Sequence, residues 1–192
     1  VLQRAKLFGG KKKLITPDDY KLSVDVMLRS IKHKSIIFVG GYARSGTTLM
    51  RSILDSHHMI RCGPESKIVP QFLSFIASWK SNEHFAAQLT DASINMTAFF
   101  DATLLFVHHM IAMSGPHAPR LCLKDPLVLE HIDLLSFLLP NAQFIFMVRD
   151  PRASIVSLSN VLDKRNKLNE KRFLSSLKDW NTVVSRIDAQ CT

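Results

Sequence analysis

The stretch VGGYARSGTTLMR, Val39 to Arg51, spaces Gly41 and Gly46 as a phosphate-binding loop does, but Thr47 stands where such loops carry a lysine, and Thr48 follows. A glycine turn between a strand and a helix aims several backbone N–H groups at one spot, and the helix dipole adds positive charge there. Such a turn suits an anionic oxygen; the alternative is a glycine-rich turn with no ligand. The absent lysine narrows the chemistry. Phosphoryl transfer uses that lysine with Mg²⁺ because the transferred group carries much negative charge. A sulfuryl group carries less, and its transfer can dispense with both.

Three further runs carry candidate chemistry. In MVRDPRASIVS, Met147 to Ser157, Arg149 falls at a strand end and Ser157 eight residues later on the next helix. The two can converge on one phosphate, the arginine through a bidentate grip and the serine through its hydroxyl. The alternative for Arg149 is an ion pair with Asp150 or another surface acid. In KDP, Lys124 to Pro126, the lysine ends another strand and can neutralise charge on a leaving group, supplying from elsewhere the cation that Thr47 lacks. In RCGPESK, Arg61 to Lys67, Glu65 follows a strand, where a carboxylate is often only a helix cap.

These residues need elements to position them. SIIFVGG, 35–41, is a continuous apolar run ending in glycines, which suits a strand buried on both faces of a parallel sheet. The helix after the loop places Leu49, Met50, Ile53, Leu54 and His57 on one face. Further strands are predicted over 59–63, 120–126 and 142–151, the last two stopped by Asp-Pro. Helices are predicted over 16–34, entered through Thr16 and Pro17, over 67–80, around 91–113, after 126, over 152–162 and near 170–189. A polar break at KSNEH separates the second and third of these. Strands alternating with helices define an α/β class with a parallel sheet.

At 192 residues the chain is long enough to bury roughly 70% of its unfolded surface in one domain without a metal or disulfide. Its 46% hydrophobic and 21% charged composition is globular, and no run approaches the roughly 20 apolar residues that span a bilayer. The apolar stretch 96–113 is broken by Asp101, His108 and His109 and reads as a buried amphipathic helix. Residues 1–34 hold nine Lys/Arg and three Asp, and so supply most of the net charge of +9. GGKKK at 9–13 is a solvated stem, and no basic stripe interleaved with aromatics follows, which argues against a nucleic-acid partner. The expected division is a basic stem and helix over 1–34 and one domain over 35–192. Cys62, Cys122 and Cys191 lack metal-ligand spacing, and no metal is expected. The chain begins at Val1, so something upstream is expected to have been removed.

Taken in order, ARSGTTLMR, RCGPES, LCLKDP and MVRDPRASIVS resemble the tyrosylprotein sulfotransferases, Golgi enzymes that sulfate tyrosines of secretory and membrane proteins. The resemblance covers roughly residues 35–191. General sulfotransferases share the loop and the Arg/Ser pair but not RCGxE and LCxKDP. The resemblance implies a P-loop-like sulfotransferase architecture with 3′-phosphoadenosine 5′-phosphosulfate (PAPS) as donor. It puts Arg44, Ser45, Gly46, Thr47 and Thr48 around the 5′-phosphosulfate, and Arg149 and Ser157 on the 3′-phosphate. Glu65 falls on the catalytic base, Lys124 on the lysine that stabilises the bridging oxygen, and Lys67 on a substrate-binding position. A phenol with pKa near 10 is mostly protonated at neutral pH, so a carboxylate that takes its proton during in-line attack lowers the barrier.

The resemblance also implies a Cys62–Cys122 disulfide, which fits an oxidising lumen and would contribute about 4 kcal/mol through chain entropy. Cys191 falls on a cysteine whose partner lies further along the family's chain, and is expected to be unpaired. The sequon at Asn95 is a glycosylation candidate inside a predicted helix. Acidic tyrosine-containing protein substrates, a homodimer, and a lumenal Golgi location through a single-pass type II signal-anchor upstream complete the expectation. Departures are Pro64 in place of an acid, Gln71 in place of a substrate-binding arginine, a poorly matching stretch after Ser157, and a chain that stops at Thr192 while the family continues. Three other functions compete: a sulfotransferase for sugars or small molecules, a Mg²⁺-dependent nucleotide kinase, and an inert truncated chain that binds nucleotide or dimerises.

Overall fold

The computed structural model describes residues 16–80, 82–162 and 169–191. The basic run 9–13 and residues 163–168 of the stretch after Ser157 that departs from the family lie outside them. Four parallel strands, β1 (Ile37–Gly41), β2 (Ile60–Cys62), β3 (Arg120–Lys124) and β4 (Gln143–Met147), form one sheet in the order β2-β3-β1-β4. Eight helices accompany them among the described residues: α1 (Pro17–Lys32), α2 (Thr47–Asp55), α3 (Ile68–Lys80), α4 (Glu83–Asp91), α5 (Met96–Ala112), α6 (Ile132–Leu138), α7 (Pro151–Leu162) and α8 (Glu170–Ala189). The α/β parallel architecture is the one the sequence predicts.

Side chains alternate across the sheet with a period of two, so each strand feeds two cores. Ile36, Phe38, Leu121 and Leu123 face the larger one, with Leu73, Leu104, Val107, Ile111, Leu135 and Ile187 from the helices. Ile37, Val39, Cys62 and Cys122 face the smaller one, which α2 covers with Met50 and Leu54. Helices on both faces explain why the strands read as unbroken apolar runs. Leu28 and Ile31 of α1 join the larger core, and Lys32 pairs with Asp101 of α5 at 3.1 Å.

Four expectations need correction. Leu49 and Ile53 are 66% and 55% exposed, so only Met50 and Leu54 of the predicted apolar face are used. Each residue turns the helix by about 100°, and the strip centred on buried Thr47, Met50 and Leu54 leaves Leu49 and Ile53 outside. The polar break contributes a helix start: the Asn82 side chain accepts from the His84 N–H and caps α4. Asn95 caps α5 in the same way through the Thr97 N–H, so it lies before that helix rather than within it, and is exposed. The segment after β3 begins with a 3₁₀ turn, Val128–His131, before α6. No single helix among the described residues is long and apolar enough to cross a membrane.

Edge strand β2 is short and is held from outside the sheet. The Asp55 carboxylate of α2 accepts the Cys62 N–H at 2.8 Å, and Arg51 Nε donates to the Cys62 carbonyl at 2.9 Å. On its inner side Cys62 lies opposite Cys122 of β3, and the two form a disulfide. The expected pairing is present, and Cys191 is the free cysteine.

Candidate active site

The strands β1 and β3 end together, because the Asp125 N–H donates to the Val39 carbonyl and the Gly41 N–H to the Pro126 carbonyl. This places the glycine loop beside the KDP run. Gly41 has φ +141°, and a Cβ there would lie 2.2 Å from the Met147 carbonyl oxygen, so only glycine lets β4 pass this close. Gly46, at φ +104°, turns the chain into α2 as an N-cap without a side chain. No acidic residue occupies the first turn of α2. The helix N-terminus is therefore open to an external anion.

A cleft of about 370 Å³ opens at this end of the sheet, lined by Arg44, Gly46, Thr47, Thr48, Glu65, Lys67 and Arg149 together with Ala43, Pro126, Leu158 and Val161. Ser45 is buried behind the loop, and its hydroxyl has no hydrogen-bond partner among the described residues. The Arg44 guanidinium donates from Nε to the Ser157 hydroxyl at 3.0 Å, and Arg149 Nη1 donates to the Arg44 carbonyl at 3.2 Å. The loop and the strand-end pair from β4 and α7 thus interlock. Arg149 makes no pair with Asp150, whose carboxylate turns instead to Arg152 at 2.7 Å and accepts the Arg152 N–H, capping α7.

Those hydrogen bonds to Arg152 hold the Asp150 carboxyl down to about 2, below its ordinary 3.8. A depressed carboxylate contributes stability above its unfolded pKa and loses it as pH falls through the folded one. Asp150→Asn should therefore lower the urea midpoint slightly at pH 7, with wild type and variant converging near pH 2. The effect is small because the pair is exposed. A midpoint difference that persists unchanged at pH 2 would contradict it.

Glu65 and Lys124 meet across the strand ends, Lys124 Nζ donating to Glu65 Oε2 at 2.7 Å. The lysine side chain is 5% exposed and the glutamate 29%, so a buried cation is presented to the cleft through a partly open carboxylate. Glu65 does not cap α3; the Ser66 hydroxyl accepts the Ile68 N–H there. A second cleft of about 300 Å³ shares Ala43, Glu65, Lys67 and Pro126 and continues over Pro70, Gln71, Ser74, Asp125 and Leu127. Glu65 and Lys67 stand where the two clefts join.

The residues singled out in the sequence therefore converge, while Asn95 stays apart as the cap of α5. Sequence reasoning missed Asp125, which it read only as a strand stop. Its carboxylate is 2% exposed and accepts the Lys67 N–H on one oxygen and the Leu127 N–H on the other. Burial pushes its pKa up, against the pull of those two N–H groups and Lys124. An acid beside proline at a buried strand end was the available signal. Leu158 and Val161, an apolar wall within the turn that follows Ser157, were also missed.

An open helix N-terminus and three cations at a parallel sheet's carboxyl edge define an α/β protein with a cleft suited to an anion, and a carboxylate–lysine pair beside it. The chain belongs to the sulfotransferase family, whose family model matches residues 36–192. It is 37% identical over 156 residues to the protein-tyrosine sulfotransferase of Drosophila melanogaster, an alignment covering 81% of this chain and 31% of that protein. It is 37% identical over 153 residues to human protein-tyrosine sulfotransferase 1 (80% and 41%) and 34% identical over 183 residues to chicken protein-tyrosine sulfotransferase 2 (93% and 49%). The chain thus spans about a third to a half of these relatives. Among solved structures, a Mycobacterium avium sulfotransferase is 17% identical with a TM-score of 0.46, covering 88% of this chain and 60% of that one.

Proposed function

We propose that this chain carries the donor site and the acid–base pair of an enzyme that moves a sulfuryl group from PAPS to tyrosine hydroxyls in acidic stretches of secretory or membrane proteins. The single observation behind the reading is the Lys124–Glu65 contact at 2.7 Å on the rim of the anion cleft, with Glu65 shared by the neighbouring cleft. The relatives named protein-tyrosine sulfotransferase support the acceptor class.

Arg44, Ser45, Gly46, Thr47 and Thr48 hold the 5′-phosphosulfate; Arg149 and Ser157 hold the 3′-phosphate; Leu158 and Val161 give the adenosine an apolar surface. PAPS supplies the sulfuryl group, and no metal is required because the cations of the cleft meet the charge. The phenol enters from the second cleft between Pro126 and Leu127. Glu65 takes its proton as the oxygen attacks in line. Lys124 neutralises the bridging oxygen of the departing 3′,5′-bisphosphate as the bond to sulfur breaks. Lys67 meets an acidic residue of the acceptor, while Gln71 provides no second charge. The disulfide fits an oxidising compartment, and we place the protein in the Golgi lumen as a type II signal-anchored homodimer, with exposed Asn95 available for glycosylation.

The test is labelled-sulfate transfer from PAPS to an acidic tyrosine peptide in competition with a glycan. Transfer to the peptide is the expected result. Transfer to the glycan alone moves the reading to carbohydrate sulfation, and bisphosphate binding without any transfer makes the chain a nucleotide-binding one. Arg149→Ala should weaken adenosine 3′,5′-bisphosphate binding by roughly 10-fold or more while leaving AMP binding nearly unchanged, since a charge-assisted hydrogen bond is worth about 1.5–3 kcal/mol. Equal losses for both ligands in calorimetry would remove Arg149 from the 3′-phosphate.

A further inference from the structure

The loop that carries Glu65 is only five residues long, from Gly63 to Lys67, and it is anchored at both ends. Cys62 precedes it, fixed by the disulfide and by Asp55 and Arg51. Lys67 ends it in the left-handed region, at φ +59°, where a side chain with a Cβ is disfavoured and must be held by its surroundings. The Lys67 N–H points at Asp125 Oδ2, 3.1 Å away, while Oδ1 of the same carboxylate accepts the Leu127 N–H at 3.3 Å. Asp125 adjoins Lys124 in sequence and is buried beneath the junction of the two clefts.

We propose that Asp125 is a positioning residue for the transfer step: its two oxygens hold the left-handed turn at Lys67 against the strand end of Lys124, and so set Glu65 at its working distance from Lys124. This rests on Glu65 being the base. Asp125 touches neither substrate in this account and acts through the loop. The arrangement demands a carboxylate, because each oxygen serves a different backbone N–H. An asparagine of the same shape offers one oxygen and one NH₂, so whichever way it turns, one N–H faces a donor. The loop then loses its anchor at Lys67 or the strand end loses its own at Leu127.

The experiment compares Asp125→Asn, Glu65→Gln and the double variant. It measures labelled-sulfate transfer to a tyrosine peptide, calorimetric binding of adenosine 3′,5′-bisphosphate, and hydrogen exchange at the Lys67 amide. Expected for Asp125→Asn are a kcat lower by about 10- to 100-fold, the scale of a misplaced catalytic group, a bisphosphate Kd within about twofold of wild type, and faster exchange at Lys67. The double variant should be no slower than Glu65→Gln by more than about twofold, since the two act on one step. Full kcat in Asp125→Asn, a Kd loss equal to the kcat loss, or losses that multiply in the double variant would each overturn the inference. Should Asp125→Asn fail to fold, Asp125→Glu keeps the charge and both oxygens but moves them by one methylene from the Lys67 and Leu127 N–H groups. Its kcat should fall with Kd retained, and a kcat equal to wild type overturns the proposal. A fully active Glu65→Gln overturns the base assignment itself. In that case anchoring stands if Lys67 exchange quickens in Asp125→Asn and fails if it does not.

Discussion

Glu65→Gln should lower kcat for sulfate transfer to tyrosine by about 10²- to 10⁴-fold, the usual contribution of a positioned general base, while leaving bisphosphate affinity within a few-fold of wild type. Glutamine is the informative substitution because Lys124 is buried and donates its 2.7 Å hydrogen bond to Glu65. Alanine would leave that ammonium without a carboxylate in a site that water barely reaches, a cost that falls on folding as well as catalysis. An amide oxygen can still accept from Nζ, so the gross geometry survives and only the capacity to take a proton is removed. A steady-state assay at saturating donor and acceptor reads the effect directly. If kcat changes by less than about threefold, Glu65 is not the base, and its contact with Lys124 is a structural ion pair.

Much of this site was legible because its parts are written locally. Gly41 and Gly46 announce a turn that no side chain tolerates, and the apolar run before them can only be a doubly covered strand. KDP and RDP mark the carboxyl ends of two strands, where ligands of open parallel sheets collect. What could not be read was which partner each charged group would choose. Arg149 had Asp150 next to it, yet Asp150 turns to Arg152 and Arg149 to the Arg44 carbonyl, a choice made by how β4 and α7 meet the loop. Asp125 escaped notice because its partners, Lys67 and Leu127, are backbone groups, one of them 58 residues away, and backbone donors leave no mark in a sequence. Leu49 and Ile53 misled for a related reason. Period alone defines an apolar stripe, but packing decides how wide a strip of it is covered.

Removing the Cys62–Cys122 bond by Cys62→Ala with Cys122→Ala, or by reduction, should cost about 4 kcal/mol, the chain entropy of a loop of this size. The two cysteines are 60 residues apart. For a chain of this length, each kcal/mol shifts the midpoint by about 2–4 °C, so Tm should fall by roughly 8–16 °C. The consequence for function is sharper than for the fold. Edge strand β2 has three residues, and the disulfide joins it to β3 directly opposite, two residues before Lys124 and three before Glu65. Once the bond opens, only non-covalent contacts keep the two chain segments in register: the ladder of three paired residues, the Asp55 and Arg51 contacts, and the hydrogen bonds of Lys67 to Asp125 and Lys124 to Glu65. Transfer activity should therefore decline at temperatures below the new Tm, with kcat falling before bisphosphate binding does, because Glu65 follows β2 directly whereas the donor loop is held between β1 and α2. Cys191 is already free, so reductant acts through this one bond. Thermal melts and transfer assays with and without dithiothreitol settle the matter: a Tm unchanged within about 2 °C would show that the bond adds no stability. Loss of bisphosphate binding in step with transfer would show that it does not act through Glu65 and Lys124.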